Sequence, residues 1–477
     1  MWLGILDVLW VLGLLCIPHL LLLNKRPTAT LAWLWAILLF PVVGPALYLM
    51  IGSERIKRAR IRRRQHFRGQ GRFAPGEGAT DRGLQAASGA DALTPEAQTL
   101  LRSLTTITQL PVSTARSLRI LRKAPAFYGA LKEDIRNARD HVHIETYIWR
   151  EDEVGREFLE LLVAAARRGV TVRVLVDEIG SLGLHESHFE PLIEAGGQFS
   201  WCHTLSPLRS RYSFNLRNHR KLQVIDGDIA YVGGMNFGRE YMSLDPVDGD
   251  WGDVQIRAEG SVVDVLQEIF AEDWFFGTAK DDVRNKSDPP REAAEPSFVQ
   301  VLRSGPDEED HPMLRVNLEL IASARERLWI GTGYFVPGET MQTALQVASA
   351  RGVDVRLLVS SRSQHPLLVR AGRSYYDALL RQGIRIYEYA KGIEHSKYLV
   401  IDREWTSVGS SNLDERSLRL NFELNLLARC RRINAEMAGI FEATIAEAEL
   451  IDREAFARRP VLERLTESAL RPLSPVL

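Results

Sequence analysis

The strongest constraint on this chain is that its second half repeats its first. The segment Asn218-His-Arg-Lys-Leu-Gln-Val-Ile-Asp226 is mirrored by Glu394-His-Ser-Lys-Tyr-Leu-Val-Ile-Asp402. Counted from each histidine, both copies place Lys at +2, Asp at +7, Gly at +14 and Asn at +17. These are His219, Lys221, Asp226, Gly233 and Asn236 against His395, Lys397, Asp402, Gly409 and Asn412. The H-x-K-x4-D pattern alone arises by accident in about one chain in a hundred of this composition, so two copies with a shared downstream spacing point to duplication.

The order of elements repeats too. A helical apolar pattern (Phe127, Leu131, Ile135, Ala138; then Leu314, Leu318, Ile321) precedes a short strand, His141 to Tyr147 in one half and Leu328 to Tyr334 in the other. A helix ending in Arg-Gly and a β-rich run follow, Val170 to Val176 matching Val353 to Val359. The expected fold is therefore α/β, two tandem α/β/α units related by a pseudo-twofold.

The motif carries its own chemistry. On a strand of period two, His219 and Lys221 share a face, as do His395 and Lys397. The chain uses Lys only nine times among sixty basic residues, yet both motifs use it, which asks for a compact ammonium at that place. One imidazole can attack a phosphodiester only if something protonates the departing oxygen, and a second imidazole from the other repeat supplies that. The two lysines with Asn236, Asn412 and Ser411 would surround the non-bridging oxygens, beside Gly233-Gly234 and Gly409-Ser410-Ser411. Asp226 precedes Gly227 with the parity opposite to His219, so both motif aspartates also read as hairpin turn residues. Asp253 and Glu423, at matching places on the next expected strand of each repeat, are the better candidates to orient the histidines.

Composition narrows the partners. The net charge of −1 conceals nine Lys or Arg against Glu54 between residues 53 and 72, which leaves residues 73–477 at −10. An acidic body argues against gripping nucleic acid through bulk charge. Three scattered cysteines give neither a disulfide framework nor a cysteine zinc site, and His141, His143 and Glu145 lack the further ligands of a metal shell. No nucleotide fingerprint occurs, and no cofactor is called for.

Two apolar stretches, Met1 to Leu23 and Thr30 to Ile51, are each long enough to span a bilayer and are joined by Asn24-Lys25-Arg26-Pro27, which reads as a transmembrane hairpin. The basic run after it places the body on the cytoplasmic side of a bacterial inner membrane and attracts anionic lipid. The expected organisation is a hairpin over 1–52, a basic juxtamembrane segment and linker over 53–100, and α/β units over 101–290 and 291–477.

At these residues the sequence resembles the phospholipase D superfamily, and within it the bacterial cardiolipin synthases. The resemblance is carried by Leu31-Ala-Trp33, Pro41-Val-Val-Gly44, both H-x-K-x4-D motifs, Val232-Gly-Gly-Met-Asn236, Asp273-Trp274, Ser304-Gly-Pro306, Tyr334-Phe-Val-Pro337 and the run Val408 to Ser417. It departs at Gly252, where the family usually has Arg, and at Gly333, where proline is common. The resemblance implies two phospholipase D-like domains that condense two phosphatidylglycerol molecules into cardiolipin and glycerol, without nucleotide or metal. It implies a catalytic set of His219, Lys221, Asp226, His395, Lys397 and Asp402, with His219 as nucleophile and His395 as acid and base. A membrane phospholipase D acting on another headgroup shares the motif, and a non-catalytic membrane scaffold is the rival from another class.

Overall fold

The computed structural model describes residues 13–23, 27–40, 42–49, 93–202, 217–243, 249–281, 283, 297–306, 308 and 310–473. Two compact units form, one holding the N-terminal helices and the other the body that follows. In the first, the helices Cys16–Leu22, Pro27–Leu39 and Val43–Leu47 bury Leu20, Ile37 and Tyr48 together, and His19 Nδ1 meets the Tyr48 hydroxyl at 2.6 Å. Among the described residues no helix is long and apolar enough to cross a membrane. Pro27–Leu39 has 13 residues and rises about 20 Å, short of the ~30 Å hydrocarbon layer. The expected hairpin over 1–52 lies partly outside the described residues, and the basic run 53–72 lies wholly outside them.

The body opens with the helix Pro95–Thr108, which reaches upstream of Leu101 into the stretch expected to be linker. Thr94 Oγ1 accepts from Ala97 N at 3.3 Å, and Pro95 occupies the first turn, where its missing N–H leaves nothing unsatisfied. Leu100, Leu101 and Leu104 turn the apolar stripe of this helix inward.

The duplication is visible strand by strand. One sheet runs Ser117–Arg122, Val254–Glu259, Ile229–Gly233, Leu222–Ile225, His141–Thr146, Thr171–Val176, Gln198–Trp201. The other repeats this order as Ser297–Ser304, Glu423–Arg429, Trp405–Gly409, Lys397–Ile401, Arg327–Thr332, Asp354–Ser360, Arg385–Tyr389, with Val112–Ala115 and Glu449–Leu450 added at its two edges. Each sheet has a parallel side, built by helical crossovers, and an antiparallel side carrying the motif hairpin. Helices such as Lys123–Asn137 and Pro312–Ser323 cover the sheets, burying Phe127, Leu131 and Ile135 in one repeat and Leu314, Leu320 and Ile321 in the other.

The repeats are stitched together where the motif begins. Strand Asp250–Gly252 of the first pairs in parallel with Gly392–Glu394 of the second, and Asn218 bridges to Phe422. This overturns one local expectation. The motif strands start at Leu222 and Lys397, so neither histidine is a ladder residue, because each histidine N–H is claimed by the other repeat.

Candidate active site

Each histidine is held twice by the opposite repeat. His219 N donates to Phe422 O at 3.0 Å, and His395 N donates to Gly252 O at 2.7 Å. The next residue after each of those carbonyls is a carboxylate, and it meets the imidazole: His219 Nδ1 lies 3.0 Å from Glu423 Oε2, and His395 Nδ1 lies 2.7 Å from Asp253 Oδ2. Asp253 and Glu423, the expected orienters, each face the histidine of the opposite repeat. With Nδ1 bound to a carboxylate, Nε2 of each ring is the nitrogen left for chemistry.

Electrostatics joins the two halves. Lys221 and Lys397 are buried, and each reaches back to the carbonyl of its own histidine, Lys221 Nζ at 2.7 Å from His219 O. Burial pushes the Lys221 ammonium down to about 7 and that of Lys397 to about 8, against the pull of Glu423 and Asp253. Burial likewise takes His395 down to about 4, with Lys397 adding to it, and lowers His219. Each imidazole also feels the other repeat's lysine. Although burial pushes Glu423 up, His219, Lys221 and the Ser410 hydroxyl hold it below the usual carboxylate range. Four cationic or cationisable groups from two repeats thus share one electrostatic neighbourhood, the arrangement that receives a phosphodiester anion.

The remaining expected residues divide. Asp226 and Asp402 stand at hairpin turns with φ of 55° and 48°. Asp226 accepts from the N–H groups of Arg139, Asp140 and His141, and Asp402 from those of Arg325, Glu326 and Arg327, at 2.8 to 3.2 Å. Both carboxylates thereby pin the motif hairpin to the start of the neighbouring central strand. Asn236, expected at the phosphate, has both ends of its amide engaged within its own repeat: Oδ1 accepts from Ile148 N at 3.1 Å and Nδ2 donates to the Tyr241 hydroxyl at 2.9 Å. Asn412 Oδ1 is buried with no partner among the described residues, and Ser411 Oγ donates to the Asn412 carbonyl at 3.3 Å.

Some site residues were not singled out from the sequence. Tyr147 sets its ring edge-on to His219 at 5.0 Å and under Lys221 at 5.1 Å, while Trp251 and Tyr334 flank His395 at 5.2 and 6.3 Å. Asp177, directly after the strand Thr171–Val176, accepts from Asn218 N at 2.8 Å; its counterpart Ser360 accepts from Glu394 N at 3.1 Å. Their signal was positional, the residue ending matching strands. The two departures from the family pattern have local reasons. A side chain at Gly252 would overlap Glu394, and a Cβ at Gly333 would stand 3.2 Å from both Cα and Cδ2 of His395. His143, considered for a metal, stacks on Phe270 at 4.5 Å and meets Arg173 Nη1 at 3.2 Å.

Comparison with known proteins agrees with this architecture. Residues 131–274 and 318–445 match the family described as cardiolipin synthase, PLD-like domain, and residues 8–53 match one described as phospholipase D-nuclease N-terminal. The chain is 35% identical over 484 residues to the cardiolipin synthase of Geobacillus kaustophilus (strain HTA426), covering 100% of this chain and 94% of that one. It is 34% identical over 459 residues to the cardiolipin synthase of Geobacillus sp. (strain WCH70), covering 95% and 90%. In fold it is similar to the crystal structure of phosphatidylserine synthase from Haemophilus influenzae Rd KW20, with a TM-score of 0.61 at 14% identity over 79% of this chain and 100% of that one. A match over both repeats and nearly the full length places the chain in the phospholipase D-like cardiolipin synthase family.

Proposed function

We propose that this phosphatidyltransferase condenses two phosphatidylglycerol molecules into cardiolipin and glycerol at the single site the two repeats share. The observation that carries the reading is the exchange of carboxylates between repeats, which makes each half incomplete alone. His219 Nε2 attacks phosphorus of the first lipid, and the bond to the glycerol oxygen breaks as His395 gives that oxygen its proton. The phosphatidyl group then sits on His219. His395 takes the proton from a headgroup hydroxyl of the second lipid, whose oxygen attacks phosphorus and displaces the imidazole. The proton count closes, and one phosphodiester is exchanged for another. Lys221, Lys397, Asn412 and Ser411 hold the non-bridging oxygens, and the bound anion favours the charged forms of Lys221, Lys397 and His395 against the burial that lowers all three, so that His395 carries the proton it gives. Asp226 and Asp402 act as positioning residues.

In this reading residues 1–52 form a membrane hairpin, the units over 101–290 and 291–477 lie on the cytoplasmic side, and a bilayer-facing site favours a lipid alcohol over water. Purified protein given phosphatidylglycerol alone is expected to yield cardiolipin and glycerol. Phosphatidic acid as the main product would make it a hydrolase, and no turnover would make it a scaffold. Acid-labile phosphate recovered on His395 instead of His219 would reverse the two roles.

A further inference from the structure

One helix of the body leaves most of its large apolar side chains in solvent. In Val461–Leu470 the buried residue is Glu467, ion-paired to Arg459 at 2.8 Å and to Arg373 at 3.5 Å, and Leu470 packs against the core, while Val461, Leu462 and Leu465 are 68%, 76% and 60% exposed beside the exposed Glu463 and Arg464. A helix that packs on a soluble protein normally buries its leucines and leaves the charges in water. This helix packs against a second one, Pro366–Arg373, whose Leu367 is 49% exposed.

That second helix borders the site. Its Gly372 sits so close to the Phe335 carbonyl that a Cβ would press on it at 2.5 Å. The preceding residue, Tyr334, lies 6.3 Å from His395 and 6.0 Å from His365, which opens the helix. The chain enters this region from Ser360, whose hydroxyl holds the N–H of Glu394 beside His395. The exposed leucines are therefore reached from His395 through direct contacts, and exposed Arg370 and Arg464 on the same two helices outnumber the exposed Glu463.

We propose that Val461, Leu462 and Leu465 with Leu367 lie in the headgroup and acyl boundary of an anionic bilayer, setting the His395 side of the site at the lipid surface. The proposal rests on the reading of the protein as a lipid enzyme. A bilayer fits this face because the substrate resides there and because apolar residues flanked by arginine are what an interfacial helix presents.

The test uses the full-length protein in phosphatidylglycerol vesicles. The double variant Leu462→Glu/Leu465→Glu, with both changes on the exposed face, is expected to keep its thermal unfolding. It should lose at least tenfold in cardiolipin formation in vesicles and stay within twofold of wild type on detergent-dispersed substrate. A photoreactive benzoyl-phenylalanine at position 465 is expected to crosslink to lipid. Equal losses in both media, no loss in vesicles, or a crosslink to a second copy or to the chain's own N-terminal residues would each overturn the proposal. A wild-type protein that makes no cardiolipin in either medium would overturn the functional reading, and the crosslink would still decide the docking.

Discussion

The two repeats agree in backbone and differ in the chemistry hung on it. In both, a carbonyl and the carboxylate after it seize the opposite histidine, but one repeat contributes Asp253 and the other the longer Glu423. The residues behind them change in step. Gly234 leaves room for the Asp253 carboxylate, which any Cβ there would overlap, whereas the equivalent Ser410 donates its hydroxyl to Glu423 Oε2 at 2.6 Å. Asp177 beside Asn218 in the first repeat becomes Ser360 beside Glu394 in the second, so one buried acid is kept and its position moves. Arg150 is paired with Glu240 at 3.0 Å in the first repeat, while the position equivalent to Glu240 carries Arg416, near Arg217 and Tyr147. Backbone symmetry builds a shared site, and side-chain asymmetry gives its two histidines different surroundings.

The largest expected effect tests whether the site is shared at all. Two independent sites would leave about half the activity when one histidine is lost. A single site predicts that His219→Ala and His395→Ala each lower cardiolipin formation by about 10³-fold or more, and that the double variant is little worse. The exchanged carboxylates extend the test. Glu423→Gln should reduce phosphoryl-enzyme formation, the step assigned to His219, and Asp253→Asn should act through His395. Losses of about 10²-fold or more are expected from each, measured as initial rates and as trapped adduct. Any single variant that retains half of the wild-type rate breaks the comparison.

Next comes the steric difference. Gly234→Ala places a methyl against a carboxylate that is buried and already bound to His395, so the carboxylate must move. A loss of about 1–3 kcal/mol in stability and at least tenfold in turnover is expected, checked by urea unfolding and initial rates. The reciprocal change Ser410→Gly should be far milder.

Much of this was legible in the sequence, and particular residues show why. The spacing shared by His219 and His395 revealed the duplication, the element order of each half revealed the repeated α/β unit, and Asp253 and Glu423 became candidates because each lies at the start of the strand that follows in its repeat. The exchange of those carboxylates was not legible, since an offset within one repeat says nothing about which repeat it faces. That depends on the pairing of Asp250–Gly252 with Gly392–Glu394, a contact about 140 residues apart in the chain. The surroundings of Asn236 were hidden for a related reason. Its place in the motif matches Asn412, but Tyr241 and Ile148 claim its amide. The exposure of Val461, Leu462 and Leu465 was equally hidden, because an amphipathic pattern fixes two faces and leaves open which one is buried.

The buried lysines give a smaller effect with opposite signs in activity and stability. In the free enzyme Lys221 titrates at about 7 and Lys397 at about 8, so their charge is lost as pH rises through that range. The value of kcat/KM for phosphatidylglycerol should therefore fall above about pH 8. Stability moves the other way. Both folded values lie below the 10.5 of an unfolded lysine, so between about pH 7 and 10.5 the unfolded chain holds more protons and stability rises with pH. Wild type compared with Lys221→Met/Lys397→Met, by urea unfolding at pH 7 and pH 9, should show this rise only in wild type. A parallel pH dependence in the two proteins would remove the lysines from the account.

The mildest change removes what only the second repeat has. Ser410→Ala deletes the hydroxyl that donates to Glu423 and accepts from Leu424 N, leaving the Glu423 carboxylate with less support, closer to the condition of Asp253. A loss of about 1 kcal/mol, or roughly fivefold in rate, is expected. Its diagnostic is where the loss appears. Glu423 is held low partly by this hydroxyl, so without it the carboxylate is less firmly placed and slightly more basic, which loosens the orientation of the His219 ring and favours its protonated, non-nucleophilic form. Adduct formation at His219 should therefore slow, with its acid limb shifted to higher pH, while transfer from the adduct to the second lipid, which His395 governs, keeps its rate. Equal slowing of both steps would mean that Ser410 supports the whole site and that the asymmetry between repeats has no bearing on which histidine does what.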